Sequence, residues 1–143
     1  MKTNATITVV LVDDHKLIRE TWKFLLEQEE SISVIAECDH GDDAVRAAQN
    51  LQPDIVLMDI NMSPVNGFEA TKRITREAPN VKVIGMSINN QPSYAKNMIQ
   101  LGAKGYVTKN STREEMVEAI REVSNGNEYI CREIREKMNA DRI

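Results

Sequence analysis

Short apolar runs alternate with amphipathic stripes five times along this chain of 143 residues. Each run has the length and the continuous hydrophobicity of a strand buried on both faces, and each stripe has helical spacing. The predicted strands are residues 7–12, 33–38, 55–60, 81–86 and 105–108. Strands and helices that alternate over short connections predict a parallel sheet covered by helices on both faces, an α/β doubly wound fold.

The last residues follow a different pattern. Ile130, Ile134 and Met138 recur every four residues among charges, which predicts a helix starting near Arg132. The five repeats leave no obvious surface for this stripe to pack against. We therefore expect one domain over residues 1–127, and a linker or extra helix over residues 128–143.

Composition excludes several classes of protein. A net charge of -4 argues against a chain that binds a nucleic-acid backbone by itself, since such binding requires a basic patch. The apolar runs are too short for a signal peptide or a membrane span. Cys38 and Cys131 lie far apart and belong to no Cys/His cluster, so we expect a reduced, cytoplasmic protein.

Four charged residues stand where predicted strands end. Asp13 and Asp14 follow the first strand, Asp59 lies near the end of the third, and Lys109 follows the fifth. The carboxyl ends of parallel strands share one edge of the sheet, where ligands bind in folds of this class. Taken singly, an acidic strand end is usually a solvated helix cap and a loop lysine is usually exposed, but their joint placement predicts one pocket.

The charges of this pocket predict its chemistry. Three carboxylates and one ammonium leave a formal charge of -2, which is unfavourable at the edge of an apolar core unless a cation neutralises it. Mg²⁺ suits such a set, and the backbone carbonyl of Asn61 can complete it. A firmly held carboxylate such as that of Asp59 can attack a phosphoryl group, while Lys109 and the Ser87 hydroxyl contact the phosphoryl oxygens.

The segments LVDDH, DINMSPVNG, MSI and YVTKN resemble the receiver domain of two-component response regulators, over residues 7 to about 126. The resemblance implies a flavodoxin-like (βα)5 fold with strand order 2-1-3-4-5. It implies that Asp59 is the phosphoacceptor, charged from a phosphohistidine on a sensor histidine kinase. It implies Mg²⁺ held by Asp13, Asp14, Asp59 and the Asn61 carbonyl.

The same resemblance implies a switch. Ser87 and Lys109 would contact the phosphoryl group, and Tyr106 would be a rotating aromatic residue, although a half-buried strand tyrosine is the simpler reading of that position. Phosphorylation would then alter the surface formed by residues 93–123 and control dimerisation or an output domain.

Three positions depart from the usual receiver pattern. Ser63 stands where proline is usual and Pro64 follows it, which changes the expected shape of that loop. Asn110 replaces the proline that often follows the lysine, so we expect a trans bond there. Ile88 stands where a smaller residue is commoner, and its bulk is expected to hinder small phosphodonors or to slow hydrolysis.

The missing proline and the segment GNEYICREIREKM further resemble the NarL/FixJ (LuxR-type) subgroup. In that subgroup a linker leads to a helix-turn-helix domain that binds DNA and regulates transcription. No such domain is present in these residues, so DNA would be contacted only through a domain absent from this chain. A truncated regulator and a stand-alone receiver acting by protein contact both remain open, with truncation favoured.

Two other chemistries fit the fold less well. An aspartyl phosphohydrolase of the haloacid dehalogenase type usually carries a second acid two residues after its nucleophile, but Asn61 cannot donate a proton. A flavodoxin-like FMN binder needs a hydroxyl- and glycine-rich loop after the first strand, where this chain has acids. A degenerate receiver that binds partners without phosphorylation is disfavoured by the full set of site residues. We therefore expect a signalling domain that catalyses only its own phosphorylation and dephosphorylation.

Overall fold

A computed structural model of the chain describes residues 6–62 and 66–140. Strands and helices alternate throughout this part of the chain. The strands are β1 (Ile7–Val12), β2 (Ile32–Cys38), β3 (Ile55–Asp59), β4 (Lys82–Ser87), β5 (Gly105–Thr108) and β6 (Tyr129–Ile130). The helices are α1 (Lys16–Glu27), α2 (Gly41–Leu51), α3 (Gly67–Glu77), α4 (Pro92–Gln100), α5 (Arg113–Ser124) and α6 (Arg132–Ala140).

The strands form one parallel sheet in the order β2-β1-β3-β4-β5-β6. The doubly wound α/β fold and the order of the first five strands are confirmed. The sheet has six strands rather than the five expected, because β6 pairs with the outer edge of β5. A strand of two residues carries no periodic signal, so the sequence alone did not reveal it.

Burial explains why the inner strands are apolar without interruption. Every residue of β3 is buried, as are the last four residues of β1. The helices lie in two groups: α1 contacts α5, while α2 contacts α3, α3 contacts α4, and α4 contacts α6. The two groups cover the sheet and leave the ends of the strands to form the site.

The C-terminal stripe has a partner. Cys131 and Ile134 are fully buried, and Met138 is partly buried against the core. Hydrogen bonds join the backbone of this segment to β5 and the residue before it, from Tyr129 N to Lys104 O (3.0 Å) and from Cys131 N to Tyr106 O (3.0 Å). Residues 129–140 therefore pack as part of the sheet and of the α4 side.

None of the helices in the described part of the chain combines the length and the apolar character needed to cross a bilayer.

Candidate functional site

Two buried carboxylates lie side by side at the carboxyl edge of the sheet. β1 and β3 are neighbours with Val12 opposite Met58, so the next residues, Asp13 and Asp59, meet beyond the paired ends. Both are buried, with 1% and 0% of their surfaces exposed. Asp14 is more open, and its carboxylate approaches theirs: ligand atoms of Asp13, Asp14, His15 and Asp59 all lie within 4.8 Å of one another. The predicted convergence of the three acids is present.

Lys109 reaches the same point from the end of β5. Its ammonium Nζ lies 2.8 Å from Asp13 Oδ2 and 3.4 Å from Asp59 Oδ2, and only 6% of the side chain is exposed. The backbone N–H of Lys109 donates to Ser87 O at 2.8 Å, which anchors the start of the loop that Asn110 continues. Lys109 is therefore buried in the pocket and paired with its carboxylates, rather than being a solvated loop residue.

The pocket has an uncompensated negative charge. Asp13 Oδ2 and Asp59 Oδ2 are buried and accept no hydrogen bond of good geometry, although the Lys109 ammonium is close to both. Buried oxygens without hydrogen-bond partners are rare in folded proteins, and they are found where a site has a catalytic role or binds an ion. Carboxylate oxygens of this kind fit a hard divalent cation such as Mg²⁺.

The pKa of Asp59 is raised from its ordinary value, chiefly because burial disfavours the charged carboxylate. The Asn61 N–H, which donates to Asp59 Oδ1 at 3.0 Å, opposes this rise, as does the Lys109 ammonium. The neighbouring Asp13 charge raises the pKa further. A cation would act in the same direction as Lys109 and favour the ionised form.

Ser87 closes β4 beside this pocket and is fully buried. Its hydroxyl donates to Asn61 Oδ1 at 2.8 Å and accepts from the backbone N–H of Asn89 at 2.9 Å. The sequence singled out the backbone carbonyl of Asn61 as a metal ligand and missed the role of its side chain. That contact joins residues 26 positions apart, so only the folded chain reveals it.

Tyr106 is fully buried on β5 opposite Gly85 of β4. Burial raises the pKa of Tyr106 to about 12, and the nearby Ser87 hydroxyl acts in the opposite direction. The Tyr106 hydroxyl nevertheless has no partner at good hydrogen-bonding geometry. The half-buried tyrosine of the simpler sequence reading is therefore wrong: the ring is enclosed, and a Cβ at Gly85 would lie 2.9 Å from it.

His15 also lies in the site, although the sequence did not single it out. Its Nδ1 lies 3.1 Å from Asp13 Oδ1 and 3.1 Å from Asp14 Oδ1, and its backbone N–H donates to Asp13 Oδ1 at 2.8 Å. Its position directly after two acids was the available signal. The largely exposed imidazole lies between the Asp13 and Asp14 carboxylates at the solvent side of the site.

Ile88, where the sequence departs from the usual receiver pattern, is an exposed residue, with 72% of its surface accessible. It lines a groove of roughly 450 Å³ together with Leu17, Trp22 and the Lys109 loop. A second departure from the usual receiver pattern, at Ser63 and Pro64, lies outside the residues that the structure describes. The third is Asn110, and the trans peptide bond expected before it stays a prediction.

Comparison with known proteins agrees with this architecture. The family model of the response regulator receiver domain matches residues 9–121. The chain is 38% identical over 132 residues to the response regulator GacA of Pseudomonas aeruginosa, covering 92% of this chain and 62% of GacA. It is 40% identical over 124 residues to the transcriptional regulatory protein DegU of Brevibacillus brevis, covering 87% of this chain and 52% of DegU. The chain thus spans little more than half the length of these relatives.

A solved structure shares nearly the whole fold. The two-component response regulator of the LuxR family from Aurantimonas superimposes with a TM-score of 0.92 at 30% identity, over 96% of this chain and 99% of that one. Its subgroup agrees with the one predicted from the segments around Lys109 and after residue 126. The chain belongs to the response regulator receiver domain family of two-component systems, with LuxR-type regulators among its relatives.

Proposed function

We propose that this domain accepts a phosphoryl group on Asp59 from the phosphohistidine of a sensor histidine kinase, in the presence of Mg²⁺. An Asp59 carboxylate oxygen attacks phosphorus and forms an acyl phosphate. The P–N bond to the imidazole breaks, and its electron pair stays on the imidazole nitrogen. This proposal rests on the two buried oxygens of Asp13 and Asp59, which accept no hydrogen bond of good geometry and lie beside the Lys109 ammonium.

Asp13, Asp14, Asp59 and the Asn61 carbonyl would hold the metal. Bound there, Mg²⁺ would neutralise negative charge on the phosphoryl oxygens. Lys109, at the end of β5, would supply a second positive contact. Because Asn61 replaces the second acid of an aspartyl phosphohydrolase, nothing at that position protonates a leaving group. The domain is thus a phosphorylated signal carrier that catalyses only its own phosphorylation and dephosphorylation.

A test is the mass of the protein after incubation with Mg²⁺ and acetyl phosphate, and separately with a phosphorylated histidine kinase. We expect an adduct of one phosphoryl group on the wild type and none on Asp59→Asn. The kinase arm is needed because Ile88 is expected to slow small donors. An equal adduct on both proteins, or no adduct with either donor, would overturn Asp59 as acceptor.

The surface of residues 93–123 is the proposed output side. Ser87 and Lys109 would move toward the phosphoryl group, and Tyr106 would follow into the vacated space. The extension is attached near these residues: Glu133 accepts from Asn90 Nδ2 at 2.6 Å and from Thr108 Oγ1 at 3.1 Å. Asn90 lies three residues after Ser87, and Thr108 directly precedes Lys109. A shift at either strand end would therefore reach α6.

The destination of this signal is also part of the proposal. Residues 128–143 would connect the receiver to an output domain that regulates transcription, as the name of the relative DegU, a transcriptional regulatory protein, suggests. That domain would bind DNA in the cytoplasm. Phosphorylation would change self-association or the freedom of that domain. Sedimentation with and without beryllofluoride and Mg²⁺ tests the first possibility. Identical behaviour, with binding confirmed, would exclude control of assembly by this chain.

A further inference from the structure

The Ser87 hydroxyl already makes hydrogen bonds within the protein. Serine has one hydroxyl proton, and that of Ser87 is donated to Asn61 Oδ1 at 2.8 Å. The same oxygen accepts the backbone N–H of Asn89 at 2.9 Å, which fixes its position from the other side. Ser87 therefore cannot donate to a second acceptor while the contact with Asn61 lasts.

Asn61 is hydrogen-bonded to Asp59, the residue proposed to receive the phosphoryl group. Its backbone N–H donates to Asp59 Oδ1 at 3.0 Å, while its side chain extends to the end of β4. The residue lies at the solvent edge of the pocket, whereas Ser87 is fully buried. One exposed side chain thus connects the end of β3 with the serine on its neighbouring strand.

We propose that the Asn61 side chain is a positioning residue that holds Ser87 in its resting orientation and sets how readily the domain switches. This inference rests on the proposed phosphorylation of Asp59. A phosphoryl oxygen is a charged acceptor and binds a hydroxyl more strongly than an amide oxygen does. Ser87 therefore exchanges a neutral hydrogen bond for a charge-assisted one, and the lost bond to Asn61 reduces the net gain.

Asn61→Ala removes this competition and leaves the backbone carbonyl in place. We expect beryllofluoride, at fixed Mg²⁺, to bind this variant about two- to tenfold more tightly, the range that one neutral hydrogen bond covers. Titration calorimetry measures the affinity. Asn61→Leu, which is similar in size and lacks polar atoms, should give the same gain.

The decisive control is the Ser87→Ala background. There Asn61→Ala should change the affinity by less than about twofold, since no hydroxyl remains to be released; such a double-mutant cycle isolates the pair. An affinity that is unchanged or weaker in the single variants, or a gain of equal size without Ser87, would overturn the positioning role. Urea midpoints for all variants identify any loss of folding.

These outcomes are separable from the phosphorylation proposal. A wild-type protein that is phosphorylated on Asp59 but shows no coupling between Asn61 and Ser87 leaves the phosphoacceptor intact and refutes the positioning role. A wild-type protein that neither binds beryllofluoride nor accepts a phosphoryl group from the kinase refutes both.

Discussion

Gly67, the first residue of α3, lies directly against the backbone at the end of β3. A Cβ added there would lie 2.5 Å from Asp59 O and 2.5 Å from Ile60 Cα, and both atoms belong to the backbone. Backbone cannot move aside as a flexible side chain can. The first residue of α3 must therefore be glycine for Asp59 to keep its position.

Gly67→Ala should lower the free energy of unfolding by about 1–3 kcal/mol, as overpacking does, and should reduce phosphoryl acceptance by displacing Asp59. Urea unfolding and adduct mass measure the two effects. Gly126→Ala is the control, because its strain comes from a φ of 94° with nothing within 4 Å of the added Cβ. We expect it to lose stability only. Normal phosphorylation of Gly67→Ala would contradict this account.

Cys38 provides a pH test at the same scale. Burial, reinforced by the charges of Asp43 and Asp39, raises the pKa of its thiol from 9.0 to about 11. The folded state therefore keeps a proton that the unfolded state loses between these values. The resulting stability is fully present below pH 9 and is lost as the pH rises through 11.

We expect the difference in unfolding free energy between wild type and Cys38→Ala to fall by about 1.4 kcal/mol per pH unit across this window. Urea unfolding at pH 8 and pH 11 measures it, and other alkaline titrations cancel because both proteins share them. A difference independent of pH would show that the thiol ionises normally in the folded protein.

At the scale of elements, α6 depends on tertiary contacts. Its sequence is strongly charged, and Ile134 is its only fully buried side chain among the described residues. Glu133 supplements that anchor through Asn90 and Thr108, and Lys137 Nζ donates to Asn90 Oδ1 at 2.9 Å. The helix should open by itself more easily than the rest of the fold.

Glu133→Ala should remove about 1–2 kcal/mol of this local stability, because a charged acceptor of two hydrogen bonds is lost. Amide exchange over residues 132–140 should then be about five- to thirtyfold faster, as measured by mass spectrometry. Glu136→Ala, on the exposed side of the same helix, should leave exchange unchanged. Equal acceleration in both variants would mean that charge on α6, rather than the Glu133 contacts, holds the helix.

At the scale of the whole molecule, the C-terminal extension (residues 128–143) raises the question of where the folded unit ends. β6 covers the outer edge of β5, and Cys131 and Ile134 are fully buried. An uncovered strand edge can pair with other chains. A chain ending at residue 127, the boundary expected from the sequence, should therefore have a lower urea midpoint than the full chain and a greater tendency to self-associate.

Urea unfolding and size-exclusion chromatography of residues 1–127 test this. An unchanged midpoint and a monomeric profile would support residue 127 as the domain boundary. A lower midpoint without association would show that the extension contributes stability and that the β5 edge is protected by other means.

The sequence by itself determined the α/β class, the order of the elements and the convergence of Asp13, Asp14, Asp59 and Lys109. These follow from local properties: apolar runs of strand length, helical spacing, and the fact that parallel strands end at one edge. The family resemblance added the prediction that Ser87 and Tyr106 act as a switch. What needed the tertiary structure were contacts between distant residues that carry no local pattern. These are the Asn61–Ser87 hydrogen bond, the complete burial of Tyr106 opposite Gly85, and the docking of residues 129–140, whose two-residue strand and charged helix gain their stability from surfaces that exist only once the other five repeats have folded.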